Sequence, residues 1–214
     1  MYRCVIFDLD GTTGDTLPLA LASFREVFRK LAGGDISDEE ITRYFGPSEE
    51  GTVRGILPGK VKEGLALYLE RYGELHDRMC PEPFDGIREL IAEIKRRGAV
   101  CALVTGKARG SLDISLEKFG MTDAFDAIET GIAERPTKTE GIGRVLEKFG
   151  AAPEETLYVG DAPSDITSAR ELSCAVASAA WASTAEPEIL EKMNPGMVFY
   201  DVKALAEYLA TRLP

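Results

Sequence analysis

Two carboxylates, Asp8 and Asp10, stand two residues apart in Asp8-Leu9-Asp10-Gly11-Thr12, directly after the apolar run Cys4-Val5-Ile6-Phe7. Charge appearing where a buried strand ends marks a site, because ligands of open α/β sheets gather at the carboxyl ends of strands. Alone, the pentapeptide is also ordinary turn chemistry that would cap a helix. Three further positions shift the balance: Thr105-Gly106 after Ala102-Leu103-Val104, Lys138 within Arg135-Pro136-Thr137-Lys138, and Asp161 in Gly160-Asp161-Ala162-Pro163-Ser164-Asp165. Together they offer a nucleophile, a proton carrier, carboxylates for a hard cation, and a hydroxyl and an ammonium for an oxyanion. Mg²⁺ takes oxygen ligands and often uses only one or two carboxylates, so Asp8 and Asp161 with a backbone carbonyl would suffice. A carboxylate can also attack phosphorus to form an aspartyl-phosphate. Asp10, two residues further on, could protonate the leaving oxygen. Thr105 and Lys138 would then offset charge on the phosphoryl oxygens.

Each position has a plainer reading by itself. Thr105-Gly106 is a common strand-end turn, Lys138 a solvated side chain, and Asp165 a helix-start residue. Within Gly46-Pro47-Ser48-Glu49-Glu50-Gly51-Thr52-Val53-Arg54, Glu50 and Arg54 could face a substrate or form only an i, i+4 surface ion pair. His76, the single histidine, reads as a solvated residue near a boundary, and Trp181 as packing rather than a stacking platform.

The elements that must position these groups are legible as short apolar runs alternating with helical patterns. The runs are Cys4 to Phe7, Val100 to Val104, Ala127 to Ile128, Leu157 to Val159, Ala175 to Ala180 and Met197 to Phe199. That alternation predicts an α/β fold, a Rossmann-like parallel sheet with helices on both faces. Ile87, Leu90, Ile91 and Ile94 repeat at helical spacing before Gly98, and Ile142, Val145, Leu146 and Phe149 do so before Gly150. Residues 16–80 break the alternation. They carry helical periodicity from Thr16 to Leu31, a capping box at Ser37 to Glu40, a helix start at Pro47 to Glu50 and a last run from Val61 to Tyr72. The expected organisation is therefore a core of residues 1–15 and 81–214 with an all-helical domain, 16–80, inserted after the first strand. The segment Cys80-Pro81-Glu82-Pro83-Phe84-Asp85-Gly86 marks the return.

Composition narrows the partners. With 36 acidic against 25 basic residues, the 214-residue chain carries a formal charge of −11, which disfavours a phosphate-backbone partner. A bound cation and a few local basic groups can still invert the field in one cleft, so an anionic small substrate remains compatible. Cys4, Cys80, Cys101 and Cys174 are widely spaced and lack CxxC pairing, which predicts buried reduced thiols rather than disulfides or a zinc site. No signal architecture or membrane-length apolar run is visible, so a cytoplasmic protein without membrane contact is expected. The chain is compatible with a monomer or a homodimer.

In order and spacing, Asp8-Leu9-Asp10-Gly11-Thr12, Thr105, Lys138 and Gly160-Asp161-Ala162-Pro163-Ser164-Asp165 resemble the four motifs of the haloacid dehalogenase superfamily across nearly the whole chain. The resemblance implies Asp8 as nucleophile and Asp10 as general acid and base that lends its carbonyl to Mg²⁺. It also implies Asp161 as a metal ligand supported by Asp165, with Thr105, Gly106 and Lys138 at the phosphate. Members of the dehalogenase branch lack the second aspartate, so Asp10 favours phosphate chemistry over carbon–halogen cleavage. The helical insertion is similar to the type 1 cap of phosphoglycolate phosphatases and β-phosphoglucomutases, which would close over the site. Two departures stand out. Thr13 and Gly14 replace the leucine and valine many relatives carry, pointing to a looser hinge. Pro136 follows Arg135 instead of a lysine, leaving Arg135 and Lys138 as alternative phosphate cations.

The activity so implied is a Mg²⁺-dependent phosphatase acting on a small phosphorylated metabolite through an aspartyl-phosphate, phosphoglycolate phosphatase being the nearest kind. A sugar phosphomutase of the β-phosphoglucomutase kind would use the same core. A non-catalytic binding protein on this scaffold would lack a catalytic group, and here every core position is filled.

Overall fold

Cys4-Val5-Ile6-Phe7 forms a strand whose pleat divides the molecule into two cores: Val5 and Phe7 enter the larger apolar cluster on one side, Cys4 and Ile6 the smaller one on the other. All four are fully buried, as expected of a central parallel strand. The computed structural model describes residues 1–214. Strands β1 (Cys4–Phe7), β2 (Val100–Val104), β3 (Ala127–Glu129), β4 (Thr156–Gly160), β5 (Ala175–Ala179) and β6 (Val198–Phe199) build one parallel sheet in the order β3-β2-β1-β4-β5-β6.

The chain moves outward from β1 to β2 and β3, then returns to lay β4 on the other side of β1. The strand order thus reverses at β1, and the crevice beyond its carboxyl end, between the β1 and β4 loops, is the expected ligand position in such a sheet. Helices α5 (Ile87–Arg96), α6 (Arg109–Lys118) and α10 (Val202–Ala210) cover the face of Val5 and Phe7. On the other face lie α7 (Lys138–Phe149), α8 (Pro163–Glu171) and α9 (Pro187–Met193). The α5 stripe Ile87, Leu90, Ile91, Ile94 is buried throughout, which is what its i, i+3, i+4, i+7 spacing requires. All four cysteines are buried and free.

Between β1 and α5 the chain makes four helices: α1 (Leu17–Ala32), α2 (Asp38–Thr42), α3 (Glu49–Ile56) and α4 (Val61–Met79). Ser37 and Glu40 form the reciprocal capping box that starts α2. Helices α1 and α4 pack through Phe24 and Tyr68, whose ring centroids lie 4.4 Å apart. Helix α4 continues well past Tyr72, and its final turns reach α6: the Tyr72 hydroxyl meets Ser115 Oγ at 2.8 Å and His76 Nε2 meets the same oxygen at 3.2 Å. His76 is therefore not solvated but fully buried, edge-on to Tyr72 and Phe119. No helix is long and apolar enough to cross a membrane.

Candidate active site

Asp8 directly follows β1, its N–H still donating to Val159 O at 2.9 Å in continuation of the ladder. The loop that follows is tightly tied. Gly11 adopts φ +74°, and a Cβ there would collide with the Asp161 carboxylate, so only glycine lets the β1 and β4 loops approach. Thr13 Oγ1 donates to Asp8 O at 2.6 Å, and Gly11 N donates to Gly14 O at 2.9 Å. Gly14 packs where a Cβ would strike the Phe119 ring. Thr13 and Gly14 thus tie down the loop beside Asp8, where their departure from leucine and valine had pointed to a looser hinge.

The two motif carboxylates separate. Asp10 Oδ1 accepts from Thr16 Oγ1 at 2.5 Å and faces Lys107 Nζ at 3.3 Å. Asp8 is buried; its Oδ2 accepts from Lys138 Nζ at 2.7 Å, while its Oδ1 has no hydrogen-bond partner. Lys138, the first residue of α7, also pairs with Asp165, which accepts from the Tyr158 hydroxyl at 3.2 Å and from Ala162 N at 2.9 Å. Arg135 lies on the surface, paired with Glu140. Of the two candidate cations, the cleft therefore holds Lys138.

Carboxylate oxygens of Asp8, Asp161 and Asp165 all lie within 4.8 Å of one another. Burial pushes the Asp8 carboxyl up to about 6 against the pull of Lys138, with Asp165 and Asp10 adding repulsion. Asp161 is driven well above the usual carboxylate range by burial and then by Asp165 and Asp8. An orphaned buried oxygen on Asp8, beside a second desolvated carboxylate, fits a hard divalent cation. Asp165 has its oxygens engaged by Lys138, Tyr158 and Ala162, so it orients Lys138 more than it offers a free ligand. The Asp10 carboxylate is not in this cluster; only its main chain is left for the metal role the resemblance implies.

After β2, Thr105 is buried with its hydroxyl accepting from Lys107 N at 3.2 Å, and Gly106 lines the cleft beside it. Two residues outside the motifs, Lys107 and Glu49, join the site without having been expected from the sequence. Lys107, only 5% exposed, lies 3.3 Å from both Asp10 and Glu49 and 4.5 Å above the Tyr72 ring. Burial alone would lower its ammonium pKa, yet Asp10, Tyr68, Tyr72 and Glu49 outweigh it and hold it well above the usual lysine value. Glu49, at the start of α3, accepts from Ala108 N at 2.6 Å and from the Ser111 hydroxyl, binding the helical insert to the first turn of α6. Glu50 and Arg54 instead pair with each other at 2.9 Å, half-exposed and outside the cleft. The signal was helical phase: Glu49 shares its face with the buried Thr52, Val53 and Ile56, whereas Glu50 and Arg54 fall on the outer face.

The resulting cleft of about 300 Å³ has a polar floor of Asp8, Asp10, Thr105, Lys107, Lys138 and Asp161 beneath largely apolar residues of the insert. The model of the haloacid dehalogenase-like hydrolase family matches residues 5–179. The chain belongs to this family. Among haloacid dehalogenase-like hydrolases it is 30% identical over 203 residues to pyrophosphatase PpaX of Oceanobacillus iheyensis, covering 94% of both chains. It is 28% identical to PpaX of Bacillus velezensis, covering 89% of this chain and 92% of that one. Among solved structures it shares its fold with a Haemophilus somnus protein described as a predicted phosphoglycolate phosphatase (TM-score 0.80, 20% identity, 98% and 97% of the two chains). CbbY of Rhodobacter sphaeroides, solved with phosphate, has the same fold (TM-score 0.76, 20% identity, 94% and 95%).

Proposed function

We propose that this haloacid dehalogenase-like hydrolase is a phosphatase of small phosphomonoesters, using Asp8 as nucleophile. The observation that carries the reading is the split of the two aspartates: Asp8 is fixed by Lys138 through one oxygen with the other free, while Asp10 is held apart by Thr16. Asp8 attacks phosphorus, the bond to the leaving oxygen breaks, and Asp10 in its acid form protonates that oxygen. Water then attacks the aspartyl-phosphate, giving its proton to Asp10, and breakage of the Asp8–phosphorus bond releases phosphate. Lys138, the Thr105 hydroxyl and the Gly106 backbone would meet the phosphoryl oxygens where charge accumulates. Mg²⁺ held by Asp8, Asp161 and the Asp10 carbonyl would supply positive charge against the phosphate. Residues 16–80 act in this reading as a cap over the core formed by 1–15 and 81–214, excluding water from the first step.

The test is Asp8→Asn assayed on p-nitrophenyl phosphate with Mg²⁺. Loss of turnover with an unchanged circular dichroism spectrum supports the assignment, and retained hydrolysis overturns it. A second reading, cleavage of a phosphoanhydride, is favoured by the relatives named pyrophosphatase and uses the same attack. Rates on pyrophosphate and on monoesters separate the two. Release of free phosphate rather than an isomerised sugar phosphate separates hydrolysis from a mutase.

A further inference from the structure

Opposite the phosphoryl end, the cleft is walled by Leu17, Ala20 and Phe24 of α1, Phe45 and Pro47 of the loop between α2 and α3, and Tyr68 of α4. In a phosphatase with Asp8 as nucleophile, these are the groups that a leaving group meets. Two features define what they accept.

The first is charge. Lys107 and Lys138 are the only cations lining the cleft, against Asp8, Asp10, Glu49 and Asp161. Lys138 is committed to Asp8 and Asp165 at the phosphoryl end. Lys107 is the only cation within reach of the leaving group, and Asp10 and Glu49 already offset it. The nearby arginines are exposed and held in their own pairs, Arg43 at the end of α2 with Glu39, Arg54 of α3 with Glu50, and Arg135 with Glu140. A carboxylate or second phosphate on the substrate would therefore be desolvated against apolar walls and acidic neighbours without a free counter-charge.

The second is Tyr68. It is fully buried and lines the cleft, yet its hydroxyl has no hydrogen-bond partner in the protein. Tyr72, one turn later on the same helix, spends its hydroxyl on Ser115. Buried hydroxyls are nearly always paired, so an unpaired one on a residue that lines the cleft is a place for a ligand group. Resting on the phosphatase reading, we infer that the chain selects phosphate esters whose leaving group is uncharged and compact, with an apolar flank against Leu17, Ala20 and Phe24 and one hydroxyl or carbonyl that pairs with Tyr68. Tyr68 is then a specificity-determining residue.

The experiment compares kcat/KM with Mg²⁺ for ethyl phosphate, glycerol 3-phosphate, 2-phosphoglycolate and pyrophosphate, in the wild type and in Tyr68→Phe, with p-nitrophenyl phosphate as reference. Glycerol 3-phosphate should exceed both substrates with anionic leaving groups by about tenfold or more. Tyr68→Phe should lower the ratio of glycerol 3-phosphate to ethyl phosphate about tenfold, since a site built to pair a hydroxyl loses its preference for one when the partner is removed. A rate on 2-phosphoglycolate or pyrophosphate equal to or above that on the uncharged esters overturns the inference, as does an unchanged ratio in Tyr68→Phe. If all five compounds are inert, the phosphatase reading itself falls and the inference with it; hydrolysis of p-nitrophenyl phosphate with the wrong preference sinks the inference alone.

Discussion

Lys138 and Arg135 stand three residues apart and only one reaches Asp8, because Lys138 opens α7 at the floor of the cleft while Arg135 pairs with Glu140 outside. Lys138 offsets Asp8 and Asp165 together, and the two carboxylates outweigh burial to keep its ammonium well above the ordinary value. Its removal leaves two buried carboxylates facing each other without a cation. Lys138→Ala is thus expected to lower kcat/KM on an aryl phosphate by about 10²–10³, the usual loss for a preorganised charge-stabilising group. Arg135→Ala should change it less than about twofold, being a surface pair. Steady-state kinetics on both variants check this, and a larger loss in Arg135→Ala would reverse the assignment of the phosphate cation. The motif residues could be placed from sequence because strand ends converge in a parallel sheet. Lys107 could not: one residue past Thr105-Gly106, its direction depends on how the turn folds, and its partner Glu49 comes from an element 58 residues earlier.

At the scale of elements, apolar periodicity made the strands and the α5 and α7 stripes readable, since each must bury one face locally. What periodicity does not carry is how the helical insert meets the sheet. Helical phase places Glu49 on the inner face of α3, but its partners, Ala108 N and the Ser111 hydroxyl at the start of α6, come from an element distant in sequence. Glu49→Ala should destabilise the fold by roughly 2–4 kcal/mol in urea unfolding, leaving Lys107 half-paired, against less than about 0.5 kcal/mol for Glu50→Ala. His76, buried where its sequence position suggests a solvated residue, joins α4 to α6 and is depressed to about 4 by burial and by Lys107 and Lys118. A histidine held neutral in the fold but titrating near 6.5 when unfolded adds stability that is fully present above pH 6.5 and is lost as pH falls toward 4. A shift of that size corresponds to about 3 kcal/mol. Asp8, raised to about 6, acts in the opposite sense over the same window, its contribution to stability growing as pH falls. The informative quantity is therefore the difference between wild type and His76→Gln. Unfolding free energies measured from about pH 7.5 to 4.5 should show the wild type losing more stability toward acid than the variant, and parallel curves would contradict a buried neutral His76.

For the whole molecule, the sheet's reversal at β1 gathers carboxylates from β1 and β4 into a chain that already carries a net charge of −11. Cations will stabilise such a protein in two ways that must be kept apart. Any salt screens the self-repulsion of an acidic surface, and this effect follows ionic strength without regard to the ion. A divalent cation, if bound between Asp8 and Asp161, would act by mass action on the folded state alone, adding about 2.7 kcal/mol at a concentration a hundred times Kd. The second contribution should be large here because the folded state holds Asp161 and the unpartnered Asp8 oxygen desolvated and mutually repelled, a cost that the unfolded chain does not bear. Thermal unfolding in Mg²⁺ and in NaCl of equal ionic strength should therefore differ, with Tm higher in Mg²⁺. Asp161→Asn should abolish that difference while unfolding at a higher Tm than the wild type in NaCl, since it removes one of the repelling carboxylates. An equal Mg²⁺ increment in Asp161→Asn would mean that the ion acts on the acidic surface and not at the junction of β1 and β4.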